Sequence, residues 1–262
     1  MLETIVALTL ATASAAPATS LVSSQQAQSD THVAALDIET STLKPEDELQ
    51  LHAPPHAYLM IESLRRGGLI LFVRHEMTSL DNRDQDNVQL ADCRTQQSLS
   101  QAGRTLAAEV GVAVRELRLP VGPVFTSAYC RCRETADLMF GSGLRVADLA
   151  VDEHNDGDAG VRLLSVIARM PPPVGDTVIV GHLQSAEQAY GVVPDEGEML
   201  VIAPAHDGQG PELIGHITAT QWNDVVRDYR KYGDRITRMV NAALVSGAAA
   251  VVAPAEKPAQ EK

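Results

Sequence analysis

The chain has 262 residues, enough to bury one good-sized core without demanding a second. Apolar residues make up 45% and charged residues 21%, an ordinary balance for a globular protein, while aromatics at 3% leave the core to Val, Leu, Ile and Ala. A formal net charge of −13 argues against nucleic acid or an anionic membrane as partner, since phosphate backbones are bound by cationic surface, and admits an anionic ligand only where positive charge is local.

Residues 1–20 carry an apolar run from Ile5 to Ala11 leading to Ala13-Ser14-Ala15 before Pro17, the outline of a secretory h-region and its cleavage site, with Glu3 where a basic residue is usual. If this is a signal peptide the protein is periplasmic or secreted; otherwise it is cytoplasmic. Residues 21–56 are rich in Ser, Gln, Asp and Thr and read as a linker or poorly ordered arm. The folded domain is expected over 57–245, with a disordered tail at 246–262. No apolar run reaches the ~20 residues needed to span a bilayer, so no integral membrane segment is expected.

Within the domain, Tyr58, Ile61, Leu64 and Arg65 suit a helix closed by Gly67-Gly68. A strand follows over 69–73, then a loop over 76–97. Ser100 is an N-cap candidate for a helix whose stripe is Leu106, Val110, Val114 and Leu117, with Pro120 as its stop. A strand over 121–126 leads to a helix over 131–140 ending at Gly141, and a further helix over 161–170 is broken by Pro171-Pro172-Pro173. Next come a strand over 177–180, a helix over 183–190, strands over 199–203 and 212–217, and a long helix over 221–243. This alternation predicts an α/β three-layer sandwich: a mostly parallel central sheet with helices on both faces and one antiparallel strand near the end.

Three of these strands deliver charged or imidazole side chains at their C-terminal ends. Gly68-Leu69-Ile70-Leu71-Phe72-Val73 runs into Arg74-His75, Phe125-Thr126-Ser127 leads to Arg131, and Thr177-Val178-Ile179-Val180-Gly181 runs into His182. Ligands of open α/β sheets bind in the crevice outside the carboxyl ends of the strands. Two arginines and two histidines gathered there would make a socket for a phosphoryl group.

The Arg74-His75 pair, the Ser127…Arg131…Thr135 pattern and Gly181-His182, with Leu99-Ser100-Gln101-Ala102-Gly103 opening the first long helix, resemble the histidine phosphatase superfamily in its phosphoglycerate mutase-like branch. The resemblance spans about 69–217. It implies a phosphoglycerate mutase-like fold and a small phosphatase or phosphohistidine phosphatase. His75 would be the nucleophile, forming a phosphohistidine that water hydrolyses, without metal or other cofactor. Arg74 and Arg131 would clamp the phosphoryl oxygens, and His182 would donate to one of them, protonated when the dianion is bound. Ser127 and Thr78 could add neutral hydrogen bonds, or act simply as turn formers. His216 is a rival to His182 but falls inside an apolar run.

The sequence departs from the family pattern in two places. Glu76 stands where Gly is usual after Arg-His, so it either points away from the phosphate or is itself the proton donor. The region expected to hold the general acid contains Asp148, Asp152, Glu153, Asp156 and Asp158, among which Glu153 is favoured and Asp152 comes next. Leu183 follows the second histidine, where acid phosphatases and phytases have Asp. The expected function is hydrolysis of a small phosphorylated substrate or of phosphohistidine. The alternatives are a non-catalytic phospho-ligand binding module in the same pocket or a phosphoglycerate mutase-type phosphotransferase. For the latter the loop offers mainly Arg83 and Arg94 to hold a second phosphate.

The three cysteines, Cys93, Cys130 and Cys132, cannot all pair. In an exported protein Cys93 would join Cys130 or Cys132 across the crevice; the alternative is three reduced thiols. Cys130-x-Cys132 is neither a redox C-x-x-C nor half of a zinc site, and no catalytic role is assigned to it.

Overall fold

The structure, a computed structural model, describes residues 49–151, 157–170, 174–206 and 208–246. The expected leader at 1–20, the arm up to residue 48 and the tail beyond 246 lie outside them. So do Asp152, Glu153 and Asp156 and the Pro171-Pro172-Pro173 break.

The elements in chain order are α1 (Pro55–Leu64), β1 (Ile70–Arg74), α2 (Gln101–Glu116), β2 (Val121–Thr126), α3 (Cys130–Phe140), β3 (Leu144–Arg145), α4 (Ala159–Arg169), β4 (Asp176–Gly181), α5 (Leu183–Tyr190), β5 (Met199–Ala203), β6 (Glu212–Ile217) and α6 (Gln221–Ser246). Among the described residues, six strands form one sheet in the order β3-β2-β4-β1-β5-β6. β1 pairs in parallel with β4, with Phe72 opposite Ile179 and Arg74 opposite Gly181, and β4 pairs in parallel with β2. β5 is antiparallel to both β1 and β6, so it alone runs against the other strands, as expected for one antiparallel strand near the end. The short link from β5 to β6 requires this, because a parallel neighbour needs a crossover of a dozen residues or more.

The central strands β1 and β4 are apolar along their length because both faces are covered. Ile70 and Phe72 point to one face, where with Ile179, Leu200 and Ile202 they meet Leu163, Val166 and Ile167 of α4 and Ala186 of α5. The pleat sends Leu71 and Val73 to the opposite face. There α1, α2 and α6 pack together, α1 against β6, and α3 lies along β2 and β4.

Two details differ from the sequence reading. Packing begins before residue 57: Pro55 opens α1, Ala53 is buried, and the backbone N–H groups of His52 and Ala53 donate to Asp228 of α6 at 2.7 and 3.2 Å. On α2, capped by the Ser100 side chain, the buried stripe is Gly103, Ala107, Val110, Val114 and Leu117, with Leu106 only partly covered. The helix is turned toward its small residues: a Cβ on Gly103 would lie 2.3 Å from the Met77 carbonyl oxygen, and one on Gly111 2.6 Å from that of Leu138. Close packing at Gly103 fixes the chain just beyond His75.

Candidate active site

The parallel pairing of β1, β4 and β2 brings their carboxyl ends to one edge of the sheet. His75 N–H donates to the Gly181 carbonyl at 3.0 Å, and Ser127 N–H to that of Val180 at 2.9 Å. The His75 and His182 rings meet edge to face with centroids 5.5 Å apart, and the Tyr129 and His182 rings do so at 5.0 Å. The Arg131 guanidinium lies over the Tyr129 ring, 4.4 Å from its centroid. Arg74, His75, Ser127, Arg131 and His182 thus lie at one edge of the sheet, with the charges of both arginines felt at both rings.

The partners of each side chain refine that reading. The Nδ1–H of His75 donates to the Glu76 carbonyl at 3.0 Å, so the neutral ring carries its lone pair on Nε2. Burial and then the positive field of Arg131 push the His75 pKa down to about 3. Burial, His75 and the two arginines likewise hold His182 well below the usual imidazole range, so both rings are neutral here. Nε2 of His182 lies 2.9 Å from the Ser127 hydroxyl, which also accepts from the Tyr129 N–H. The Thr78 hydroxyl donates to Glu196 at 2.8 Å. Both hydroxyls therefore serve protein groups.

Arg74 donates to the Pro194 carbonyl at 2.9 Å and lies 3.9 Å from Glu196. Arg131, 2% exposed, donates to both oxygens of Asp84. His216 bonds Glu198 at 2.5 Å and stacks on His56, engaged apart from the two strand-end histidines.

Among the acid candidates, Asp148 pairs with Arg169 and Asp158 with Arg162, both as surface ion pairs. Glu76 is fully buried. Its Oε2 accepts from the Met77 N–H, its Oε1 has no hydrogen-bond partner, and burial raises its pKa to about 7. Room for this carboxyl comes from Gly197, at φ +77°, where a Cβ would sit 2.4 Å from Oε1. Cys93 and Cys130 form a disulfide that ties the loop after His75 to the start of α3, and Cys132 is buried as a free thiol. Burial raises that thiol to about 12, which makes it inert. Among the described residues no group of three or more His, Cys, Asp or Glu side chains is placed to hold a metal, and no helix is long and apolar enough to cross a membrane.

Sequence reasoning missed Asp84, Glu196 and Tyr129. Tyr129 had a signal, an aromatic between Ser127 and Arg131. The two carboxylates had none, since each lies in an acidic loop without periodicity.

The mixed α/β sheet thus carries Arg74-His75 at the end of its central strand β1, with Arg131 and His182 just beyond the ends of the parallel strands β2 and β4. No family model and no curated protein matches the chain. Similar solved structures include the candidate phosphohistidine phosphatase SixA from Agrobacterium tumefaciens, at 15% identity over 58% of this chain and 99% of that one, with a TM-score of 0.43. A phosphoserine phosphatase variant from Entamoeba histolytica in complex with phosphoserine is 14% identical over 58% of this chain and 98% of its own, with a TM-score of 0.42. The protein histidine phosphatase SixA complexed with tungstate is 12% identical over 58% and 97%, with a TM-score of 0.42.

Proposed function

We propose that the chain is a phosphatase that hydrolyses a phosphomonoester or phosphohistidine through a covalent phosphohistidine on His75. The observation that carries this reading is the His75 ring itself: neutral, with Nδ1–H committed to a backbone carbonyl, which leaves the Nε2 lone pair free in the positive field of Arg131. In the first step Nε2 attacks phosphorus, and the bond from phosphorus to the leaving oxygen or nitrogen breaks, with a proton passing to the leaving group. In the second, water attacks phospho-His75, inorganic phosphate departs and the imidazole is restored. Arg74 and Arg131 offset the charge on the transferring oxygens. The proton donor is assigned to Glu153 by resemblance, with Glu76 the described carboxyl whose burial keeps a proton near neutral pH. The Cys93–Cys130 disulfide supports an oxidising compartment, in keeping with export.

The Asp84 carboxylate on Arg131 favours a second reading, a phospho-ligand binding module without turnover. A mutase-type phosphotransferase is less well supported, because Arg94, one of the two loop arginines, is paired to Asp92. Incubation with a chromogenic aryl phosphate in the presence of EDTA separates these readings, since an activated leaving group needs little acid assistance. Phosphate release by the wild type, abolished in His75→Ala, supports the phosphatase. No release by either supports the binder. Isomerisation of phosphoglycerate above background would support the mutase.

A further inference from the structure

Both arginines of the site already face carboxylates. Arg131 Nη1 donates to the two oxygens of Asp84 at 3.1 and 2.8 Å, and Arg74 Nη2 lies 3.9 Å from Glu196 Oε1. These carboxylates are held in place: Asp84 accepts from the Gln97 N–H at 2.6 Å, and Glu196 from the Thr78 N–H and hydroxyl at 3.3 and 2.8 Å. Asp84 is only 9% exposed. With both imidazoles neutral, the formal charges of Arg74, Arg131, Asp84 and Glu196 cancel. A phosphoryl dianion entering alone would bring uncompensated charge into a poorly solvated site and face two fixed carboxylates. A ligand with its own cation a few ångströms from phosphorus avoids both costs, its oxygens meeting the guanidiniums and its cation the carboxylates.

We propose that Asp84 and Glu196 are specificity-determining residues that select phosphoryl compounds carrying a separate positive charge close to the phosphoryl group, such as an aminoalkyl phosphate. The proposal rests on reading this pocket as a phosphoryl site. Selection arises as much from repulsion of anionic competitors as from attraction of the cation.

Calorimetric titration of the full chain with three phosphonates tests it: 3-aminopropylphosphonate, propylphosphonate and 3-phosphonopropionate. None can be hydrolysed, so the result is independent of turnover. The amine is expected to bind at least about tenfold tighter than the alkyl compound, with the carboxylate weakest. Asp84→Asn and Glu196→Gln should each shrink the amine-to-alkyl ratio by about threefold or more. Glu196, partly exposed, serves if Asp84→Asn fails to fold. Carboxylates that merely orient the arginines would, when removed, weaken all three ligands alike, and an unchanged ratio would overturn the proposal. Equal affinities in the wild type, or no binding by any phosphonate, would overturn it too. Hydrolysis of the aryl phosphate decides separately whether the phosphatase reading stands.

Discussion

His75 gives its Nδ1–H to the carbonyl oxygen of the very next residue, Glu76, at 3.0 Å, and this one bond sets which ring nitrogen can attack. Because burial and Arg131 depress its pKa to about 3, the ring is expected to stay neutral throughout the working range of an enzyme. The imidazole NMR shifts of His75 should therefore be flat from pH 8 to 5, with the Nδ1-protonated tautomer throughout. Titration with a midpoint near 6.5 would show that the ring is not buried as described.

Glu76 makes stability depend on pH in the opposite sense to the histidines. Its folded pKa of about 7 lies above the ordinary 4.5, so its contribution is intact at low pH and is lost as pH rises through 7. The full loss is at most about 3 kcal/mol. Asp176, raised to about 6, acts with the same sign at lower pH. The depressed histidines His56, His75 and His182 contribute stability above 6.5 that is lost on acidification. The histidines act in the opposite direction over overlapping pH, so the difference between wild type and Glu76→Gln isolates Glu76. In urea unfolding, the stability of the wild type relative to Glu76→Gln should fall by about 2 kcal/mol between pH 5 and 8; a difference that does not change with pH would contradict the buried carboxyl.

The guanidinium of Arg131 is placed to do more than supply charge, since it pairs with Asp84 and lies over the Tyr129 face. Lysine keeps the charge but loses the planar fork. Arg131→Lys is expected to lower kcat/KM for an aryl phosphate by about 10²–10³-fold with an unchanged far-UV spectrum. Activity within a few-fold of wild type would remove Arg131 from the phosphoryl clamp.

The Cys93–Cys130 bond closes a sequence separation of 37 residues. Constraint of the unfolded chain by a loop of that size is worth about 3–4 kcal/mol. For a domain of this size, loss of the bond should lower Tm by roughly 10 °C. Scanning calorimetry with and without a thiol reductant measures it. The Cys93→Ser/Cys130→Ser variant should start from the lower value and be insensitive to reductant. A shift of the same size in that variant would place the effect elsewhere.

Much of this was legible in the chain because β1, β2 and β4 announce themselves twice, by β-branched apolar runs and by the Arg, Ser and His that end them. Once those strands are parallel neighbours, the meeting of His75 with His182 follows from the pleat and the register. What was not legible depended on long-range contacts. Cys130 and Cys132 are two residues apart on one helix and so face different ways. Only the fold shows that Cys130 faces Cys93 while Cys132 packs against the Gly181 carbonyl. Asp84 is one of several acids between 81 and 92, and Glu196 sits among Asp195 and Glu198, so no local pattern could single them out as partners of the arginines. Glu76 read equally as a repelled charge or a proton donor, because burial under Gly197 is invisible from its neighbours.

In the proposed reaction, phosphorus becomes bonded to Nε2 of His75. Rapid mixing with radiolabelled aryl phosphate, an alkaline denaturing quench and peptide mapping by mass spectrometry test it directly. The expected result is an acid-labile, alkali-stable phosphoryl group on the peptide containing His75 and none in His75→Ala. Label on another residue, or undiminished turnover by His75→Ala, would contradict it.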